Sequence, residues 1–145
     1  MLSSQIKKRL QNEKSFMGCY PKDKLPSKFP KILPKSIIIN TGQSSTSGEH
    51  WVALLLLRTS CLYFDSFGLG ILDADILHFI GKNYKNYSFN HMCIQHYESK
   101  KCGEFCIGFI KMVKNRKDFI NFIHKFNFKS LKNNDKQIED ILKLV

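Results

Sequence analysis

The sequence predicts an α+β fold in which a central, mostly antiparallel sheet is flanked by helices. Short apolar and β-branched runs, typical of strands, concentrate between residues 36 and 95. Apolar residues at helical spacing occur on both sides of that stretch. A length of 145 residues with 43% hydrophobic residues is typical of one compact unit. We therefore expect a single domain that spans residues 1–145.

The first third of the chain predicts one helix and one strand. Apolar residues at i, i+4 spacing indicate a short amphipathic helix; they are Leu2, Ile6 and Leu10. Residues 18–36 contain all four prolines and predict irregular, extended chain. Ser36–Asn40 is rich in β-branched residues and predicts a strand. A polar loop is expected at residues 41–48.

The remaining elements follow from the same patterns. Trp51–Leu56 predicts a buried strand, and Cys61–Asp65 predicts a second strand beside it. A helix is expected from Asp73 to Tyr84, with Asp73 or Asp75 as its N-cap. Ser88–Gln95 predicts another strand. Three helices are expected after it, in the ranges 102–113, 119–126 and 138–145.

The register of the central hairpin decides which polar residues meet. A four-residue loop pairs Leu56 with Cys61, and Asp65 then lies opposite Val52. Asp65 is in that case on the same face as His50 and diagonal to it. Diagonal neighbours lie about 7–8 Å apart, within reach of aromatic or long side chains. A two-residue loop instead places the carboxylate one step further from the imidazole.

The charge is unevenly distributed along the chain. The formal net charge is +11; residues 1–36 contribute +7, residues 110–145 contribute +5, and residues 37–109 contribute −1. Basic flanks attract polyanions, so nucleic acid is one candidate partner and a solvated lysine-rich surface is the alternative. The longest apolar run is far shorter than the roughly 20 residues of a membrane-spanning helix. No signal peptide is visible, so neither a membrane partner nor secretion is expected.

Five cysteines without a secretory signal predict a reducing compartment. Cys102 and Gly103 precede a helical run, and a thiol at a helix N-terminus has a lowered pKa. Because the thiolate is the reactive form, Cys102 is a candidate nucleophile. Gly103 allows a substrate or another backbone to approach closely. The alternative role is a buried structural cysteine, which is what we expect of Cys106, one turn further along.

A nucleophilic thiol needs a base, and five histidines are present. His50, between the polar loop and Trp51, is favoured by its position at the strand start. Asp65 is placed to hold its imidazole in the required tautomer, although it is equally suited to be a turn residue. Gln95 follows a predicted strand, and its amide is a candidate donor to an oxyanion together with the Cys102 backbone.

The order and intervals of these residues resemble the adenovirus-type endopeptidase family (adenain), in the version found in Maverick/Polinton elements and related large DNA viruses. The resemblance rests on His50-Trp51, Asp65-Ser66-Phe67-Gly68, and Gln95 with six residues before Cys102-Gly103-Glu104-Phe105-Cys106. It extends upstream through Phe16-Met17-Gly18-Cys19-Tyr20 and Ile38-Ile39-Asn40-Thr41. It covers roughly residues 15–113.

The resemblance implies a papain-like cysteine protease with a His-Asp-Cys triad. His50 would be the general base and acid, Asp65 would orient it, and Cys102 would be the nucleophile. Gln95 and the Cys102 amide would form the oxyanion hole. Trp51 and Gly103 are expected to contact the substrate. Such a triad uses no metal ion and no organic cofactor, so none is expected.

The same resemblance implies partners and a place of action. The family cleaves capsid and other viral structural precursors at glycine-containing sites, in the host nucleus and the virion; the cytoplasm is the alternative. Adenain is activated by DNA and by a short basic peptide linked through a disulfide. This chain is shorter than adenain, and we match none of its cysteines to the one that links that peptide.

Three other interpretations remain open at this stage. A ubiquitin-like-protein-specific protease shares the triad order and the Asp and Gln types. A zinc-binding, nucleic-acid-binding module would use the spacing H-x-C-x2-H-x5-C-x3-C, which lacks the paired C-x2-C knuckles of familiar structural sites; its ligands would be His91, Cys93, His96, Cys102 and Cys106. A catalytically dead DNA-binding relative is the third, although all four catalytic residue types are present.

Overall fold

A computed structural model of the chain describes residues 1–45 and 50–145, so residues 46–48 of the predicted polar loop lie outside the described residues. The described strands are β1 (Phe16–Pro21), β2 (Lys35–Asn40), β3 (Trp51–Leu56), β4 (Cys61–Phe64) and β5 (Tyr87–Phe89). The described α-helices are α1 (Ser3–Arg9), α2 (Ala74–Asn83), α3 (Cys102–Met112), α4 (Arg116–Ile123) and α5 (Asn134–Leu144). The predicted α+β fold is confirmed.

The five strands form one mixed sheet in the order β1-β2-β3-β4-β5. The central pairings β2–β3 and β3–β4 are antiparallel, whereas β1 and β5 pair in parallel with their neighbours at the two edges. The expectation of a mostly antiparallel sheet therefore holds for the three central strands only. The predicted hairpin register is confirmed, since Leu56 pairs with Cys61 across a four-residue loop.

Helices cover both faces of this sheet. Ile37 and Ile39 of β2 face the side packed by α2, whereas Ile38 faces the side packed by α1, α3, α4 and α5. Alternate residues of β2 and β3 are buried on opposite faces, so these strands are almost fully apolar, as expected for a sheet covered on both sides. Helix α3 packs across β3, and its first residue lies at the end of the sheet where β3 begins.

Two strands differ from the sequence expectation. Residues 18–36 were expected to be irregular, but β1 forms an edge strand beside β2. Pro21 ends it, and an edge strand tolerates a residue without an N–H group. The strand expected at 88–95 is only Tyr87–Phe89. Because β4 ends at Phe64, later residues have no partner strand, and the amides of residues 94 and 95 instead donate to the Ser66 carbonyl.

The helices begin where capping groups are available. Asp73 accepts hydrogen bonds from the amides of Asp75 and Ile76 (2.9 and 3.1 Å) and is the N-cap of α2, so of the two predicted candidates it is Asp73 that caps. Asn115 caps α4, which therefore begins at residue 116 and not at 119. Helix α5 begins at Asn134, one turn earlier than its apolar pattern indicates.

Candidate active site

Cys102 is the first residue of α3 and is partly buried. Its thiol is hydrogen-bonded with His50 and accepts from the backbone N–H groups of Trp51 and Gly103. Burial by itself would raise the pKa of Cys102, but these hydrogen bonds and the positive charge of the imidazole lower it below the ordinary value of a thiol. The site therefore stabilises the reactive thiolate relative to an ordinary thiol.

His50 lies between this thiol and a carboxylate. Its Nε2 is 2.8 Å from Asp65 Oδ1, so the hydrogen bond with Cys102 uses the other ring nitrogen, Nδ1. Burial alone would lower the pKa of His50, but the hydrogen bonds and negative charges of Asp65 and Cys102 raise it to about 9. The lowered thiol pKa and the raised imidazole pKa both favour the thiolate–imidazolium form of the pair over the neutral form.

Asp65 is held rigidly in a turn after β4, and its side chain is only 6% exposed. Its Oδ1 also accepts from the amide of Phe67 at 2.9 Å, and the Phe67 ring packs 4.9 Å from the imidazole of His50. The buried Asn90 side chain bonds both the amide and the carbonyl of Asp65 (3.1 and 2.6 Å). Sequence reasoning missed Asn90 and Phe67, because an asparagine after a strand and a phenylalanine in a turn have ordinary structural roles.

Gln95 is buried, and its amide is fixed from two sides. Its Oε1 accepts a short hydrogen bond from Ser66 Oγ. Its Nε2 donates to the Ser99 carbonyl at 2.9 Å and makes a longer contact of 3.3 Å with Ser99 Oγ. The Ser99 carbonyl thus takes the shorter of the two hydrogen bonds that this amide donates. The sequence contained no signal that Ser66 or Ser99 would orient this amide.

An open cavity of about 870 Å³ joins these groups, and His50, Trp51, Gln95 and Cys102 all line it. The structure thus places three of the four predicted catalytic residues and Trp51 around one space, with the fourth, Asp65, behind His50. Gly103 is buried, and a Cβ there would lie 3.0 Å from Met1 Sδ. The close approach expected at Gly103 is therefore made by Met1. The backbone amide of Gly103 contacts the Cys102 thiol.

The other buried thiols differ chemically from Cys102. Cys106 is fully buried, as predicted, and burial raises its pKa well above the ordinary value. Burial likewise raises the pKa of Cys61 to about 12 and that of Cys19 to about 11. Cys19 lines the same cavity, which the sequence did not indicate. Among these four thiols, Cys102 alone has a lowered pKa.

The zinc-binding interpretation lacks a ligand set in the described part of the chain. Within residues 1–45 and 50–145, no three His, Cys, Asp or Glu side chains are grouped so that they could hold a metal ion.

The same residues contain no helix with both the length and the apolar character needed to cross a bilayer.

The pKa shifts predict the pH dependence of alkylation. Iodoacetamide should react with Cys102 at pH values below about 8.5, the ordinary thiol pKa, because the thiolate persists until the lowered pKa is passed. His50→Ala removes a hydrogen bond and a positive charge, so the alkylation profile should move to higher pH. Rates measured from pH 5 to 10 by mass spectrometry test this. An unchanged profile in the variant would show that the two side chains are uncoupled.

Comparison with known proteins shows similarity to solved structures. No protein-family model and no curated protein matches the chain. Among solved structures, the chain is similar to a crystal structure of the pS273R protease of ASFV, with a TM-score of 0.48 and 20% sequence identity. The match covers 74% of this chain and 42% of that one, so it spans less than half of the length of that protein.

Proposed function

We propose that this chain is a cysteine peptidase with Cys102 as nucleophile, His50 as base and acid, and Asp65 as the residue that orients the imidazole. The observation that supports this most directly is that the His50 imidazole, at the wall of an open cavity, is hydrogen-bonded both with the Asp65 carboxylate and with the Cys102 thiol. A triad is recognised by geometry and roles, and here each neighbour shifts the pKa of the next in the direction that catalysis needs.

Each step of peptide hydrolysis has a group in place for it. The thiolate of Cys102 attacks the carbonyl carbon, and the carbonyl oxygen becomes an oxyanion. The Cys102 amide, at the start of a helix and without an intrahelical acceptor, donates to that oxyanion together with Gln95 Nε2. The imidazolium of His50 gives its proton to the leaving amine, which leaves a thioester. His50 then removes a proton from water, whose oxygen attacks the thioester and releases the acid and the thiolate.

The substrate class in this proposal is a viral or mobile-element structural precursor, cleaved endoproteolytically at glycine-containing sites as in adenain-type enzymes. Support comes from the residue order His50, Asp65, Gln95, Cys102 and from the intervals between them. A ubiquitin-like-protein-specific protease has the same catalytic residue types, so the substrate and not the catalytic site separates the two. Trp51, on the cavity wall beside the nucleophile, is proposed to contact the substrate.

A substrate panel tests this function. The panel contains peptides and capsid-type precursors with glycine-containing sites, together with ubiquitin-like modifiers fused to a reporter, and Cys102→Ala serves as the blank. We expect cleavage of the glycine-containing precursors and little release from the modifier fusions. Cleavage of the modifier fusions alone would replace the proposed substrate class with ubiquitin-like modifiers, and cleavage of nothing in the panel would count against the proposed peptidase activity.

Duplex DNA, added at low salt, should raise the cleavage rate if the basic flanks bind it, and this effect should fade towards physiological salt.

A further inference from the structure

Helix α5 makes polar contacts with the chain segment 94–101, which leads into Cys102. Asn134 Nδ2 donates to the Ile94 carbonyl at 2.8 Å, and Asn134 is buried. Asp135 Oδ1 accepts from Ser99 Oγ at 2.6 Å. Glu139 forms an ion pair with Lys101 at 2.7 Å, on side chains that are about half and one-third exposed. We call these three the clamp contacts. They contact the segment at its first residue, at its last residue and at Ser99 between them.

The segment depends on such contacts because residues 94–101 form no helix or strand, and their own backbone supplies one turn hydrogen bond, from the Ser99 amide to the His96 carbonyl at 2.9 Å. On one side, the Ser66 carbonyl accepts from the amides of Ile94 and Gln95 (2.9 and 3.0 Å). On the other side lies α5, which packs close to α3 at Gly108, where a Cβ would lie 2.6 Å from Ile138 Cδ1. The oxyanion donor therefore sits on a loop held between a turn and a helix.

Ser99 is the point at which α5 reaches the Gln95 amide. Its hydroxyl has one proton and donates it to Asp135, a carboxylate that can only accept. The Ser99 oxygen is thereby left to accept from the Lys101 amide at 3.2 Å and from Gln95 Nε2 at 3.3 Å, while the Ser99 carbonyl accepts from Nε2 at 2.9 Å. Without the carboxylate, the hydroxyl is free to rotate, and its proton competes with the amide hydrogens.

We propose that Asp135 is a positioning residue, which acts through Ser99 to orient the Gln95 amide towards the cavity. This inference rests on the proposed function, because it gives α5 a part in stabilising the oxyanion. Ionised Asp135 supplies a charge-assisted acceptor of the stronger kind, and its bond length of 2.6 Å is typical of an O–H donor to a carboxylate. Helix α5 thus contributes to catalysis although it contributes no residue to the triad.

The test compares Asp135→Ala with Asp135→Asn and with Asp140→Ala. Asparagine keeps an acceptor oxygen and should restore most of the activity. Asp140 is on the same helix and pairs with lysines of α5 (3.1 and 3.7 Å), so its loss is the matched control. For Asp135→Ala we expect kcat to fall about tenfold, a fraction of the roughly 10²–10³ attributed to one oxyanion donor, with KM nearly unchanged. Iodoacetamide alkylation of Cys102 should keep its rate, because it forms no oxyanion.

Two further measurements decide between positioning and simple stabilisation. In a Gln95→Ala background, Asp135→Ala should have no additional effect on kcat, since the donor it positions is absent. An equal tenfold loss in that background would overturn the inference. Amide hydrogen exchange in residues 94–101 should also accelerate in Asp135→Ala and not in Asp140→Ala. Hydrogen exchange is measured without a substrate. Unchanged exchange in Asp135→Ala would therefore overturn the inference even if no substrate is cleaved, and accelerated exchange would support it.

Discussion

Replacing Cys102 with alanine should abolish peptidase activity, and this is the largest effect that we expect. The variant keeps the cavity, His50 and Gln95 but has no atom to attack the carbonyl carbon. Removing the nucleophile of a comparable triad costs on the order of 10⁶ in kcat. The measurement is the single-turnover rate on a glycine-containing substrate, together with labelling by iodoacetamide at pH 7, which should disappear with the activity.

Cys106→Ala is the matched control for that variant. Cys106 lies one turn further along α3, is fully buried, and has a pKa raised well above the ordinary range. We expect this substitution to lower the midpoint of thermal unfolding slightly while activity and labelling persist. Cys19→Ala is the second control, because its thiol lines the cavity but has a raised pKa. Activity and labelling that survive in Cys102→Ala would mean that another residue is the nucleophile.

Replacing Gln95 with alanine should have the second largest effect. Loss of one oxyanion donor lowers kcat by about 10²–10³, or about 2.7–4 kcal/mol of transition-state stabilisation. The donor acts mainly on the transition state, so KM should change little. The pH profile of Cys102 alkylation should also be unchanged, since Gln95 is not among the groups that shift its pKa. Stopped-flow kinetics and alkylation rates measured on the same preparation provide this comparison.

Gln95→Ala also removes hydrogen bonds, so its cost in folding stability must be separated from its effect on catalysis. Gln95→Ala leaves the buried Ser66 hydroxyl without its acceptor, which costs about 1–3 kcal/mol of folding free energy. Ser66→Ala removes that same bond but keeps the amide group, so its midpoint of thermal unfolding measures the structural cost of the bond. If Gln95→Ala lowers the midpoint of thermal unfolding while kcat stays at the wild-type value, then Gln95 is a structural residue only.

Local patterns sufficed to predict the centre of the fold. The apolar run Trp51–Leu56 predicted the first strand of the hairpin, and of the two loop lengths that the sequence left open the structure has the four-residue one. That register brought Asp65 to the side of His50. The position of Cys102 at a helix start followed from the helical spacing of the residues after it. These inferences need only neighbours in sequence.

What the sequence did not reveal depends on contacts between distant residues. The parallel pairing of β1 joins residues about 20 positions apart through a proline-rich connection, and no local period indicates it. Asp135 and Ser99 are 36 residues apart, and each is unremarkable by itself: one is an acid in the first turn of a helix, the other a loop serine. Gln95 was predicted from its position, but the groups that fix its amide became visible only in three dimensions.

The turn after β4 has a consequence for how this site can change. Asp65 holds the base, and the adjacent Ser66 holds the oxyanion donor through both its hydroxyl and its carbonyl. Gly68 keeps the turn against the backbone of Met92, where a Cβ would lie 2.6 Å from the carbonyl carbon. The groups for proton transfer and for charge stabilisation are thus both held by one four-residue turn, Asp65 to Gly68. A backbone shift there cannot adjust one function alone, so variation in substrate preference should accumulate elsewhere on the cavity wall.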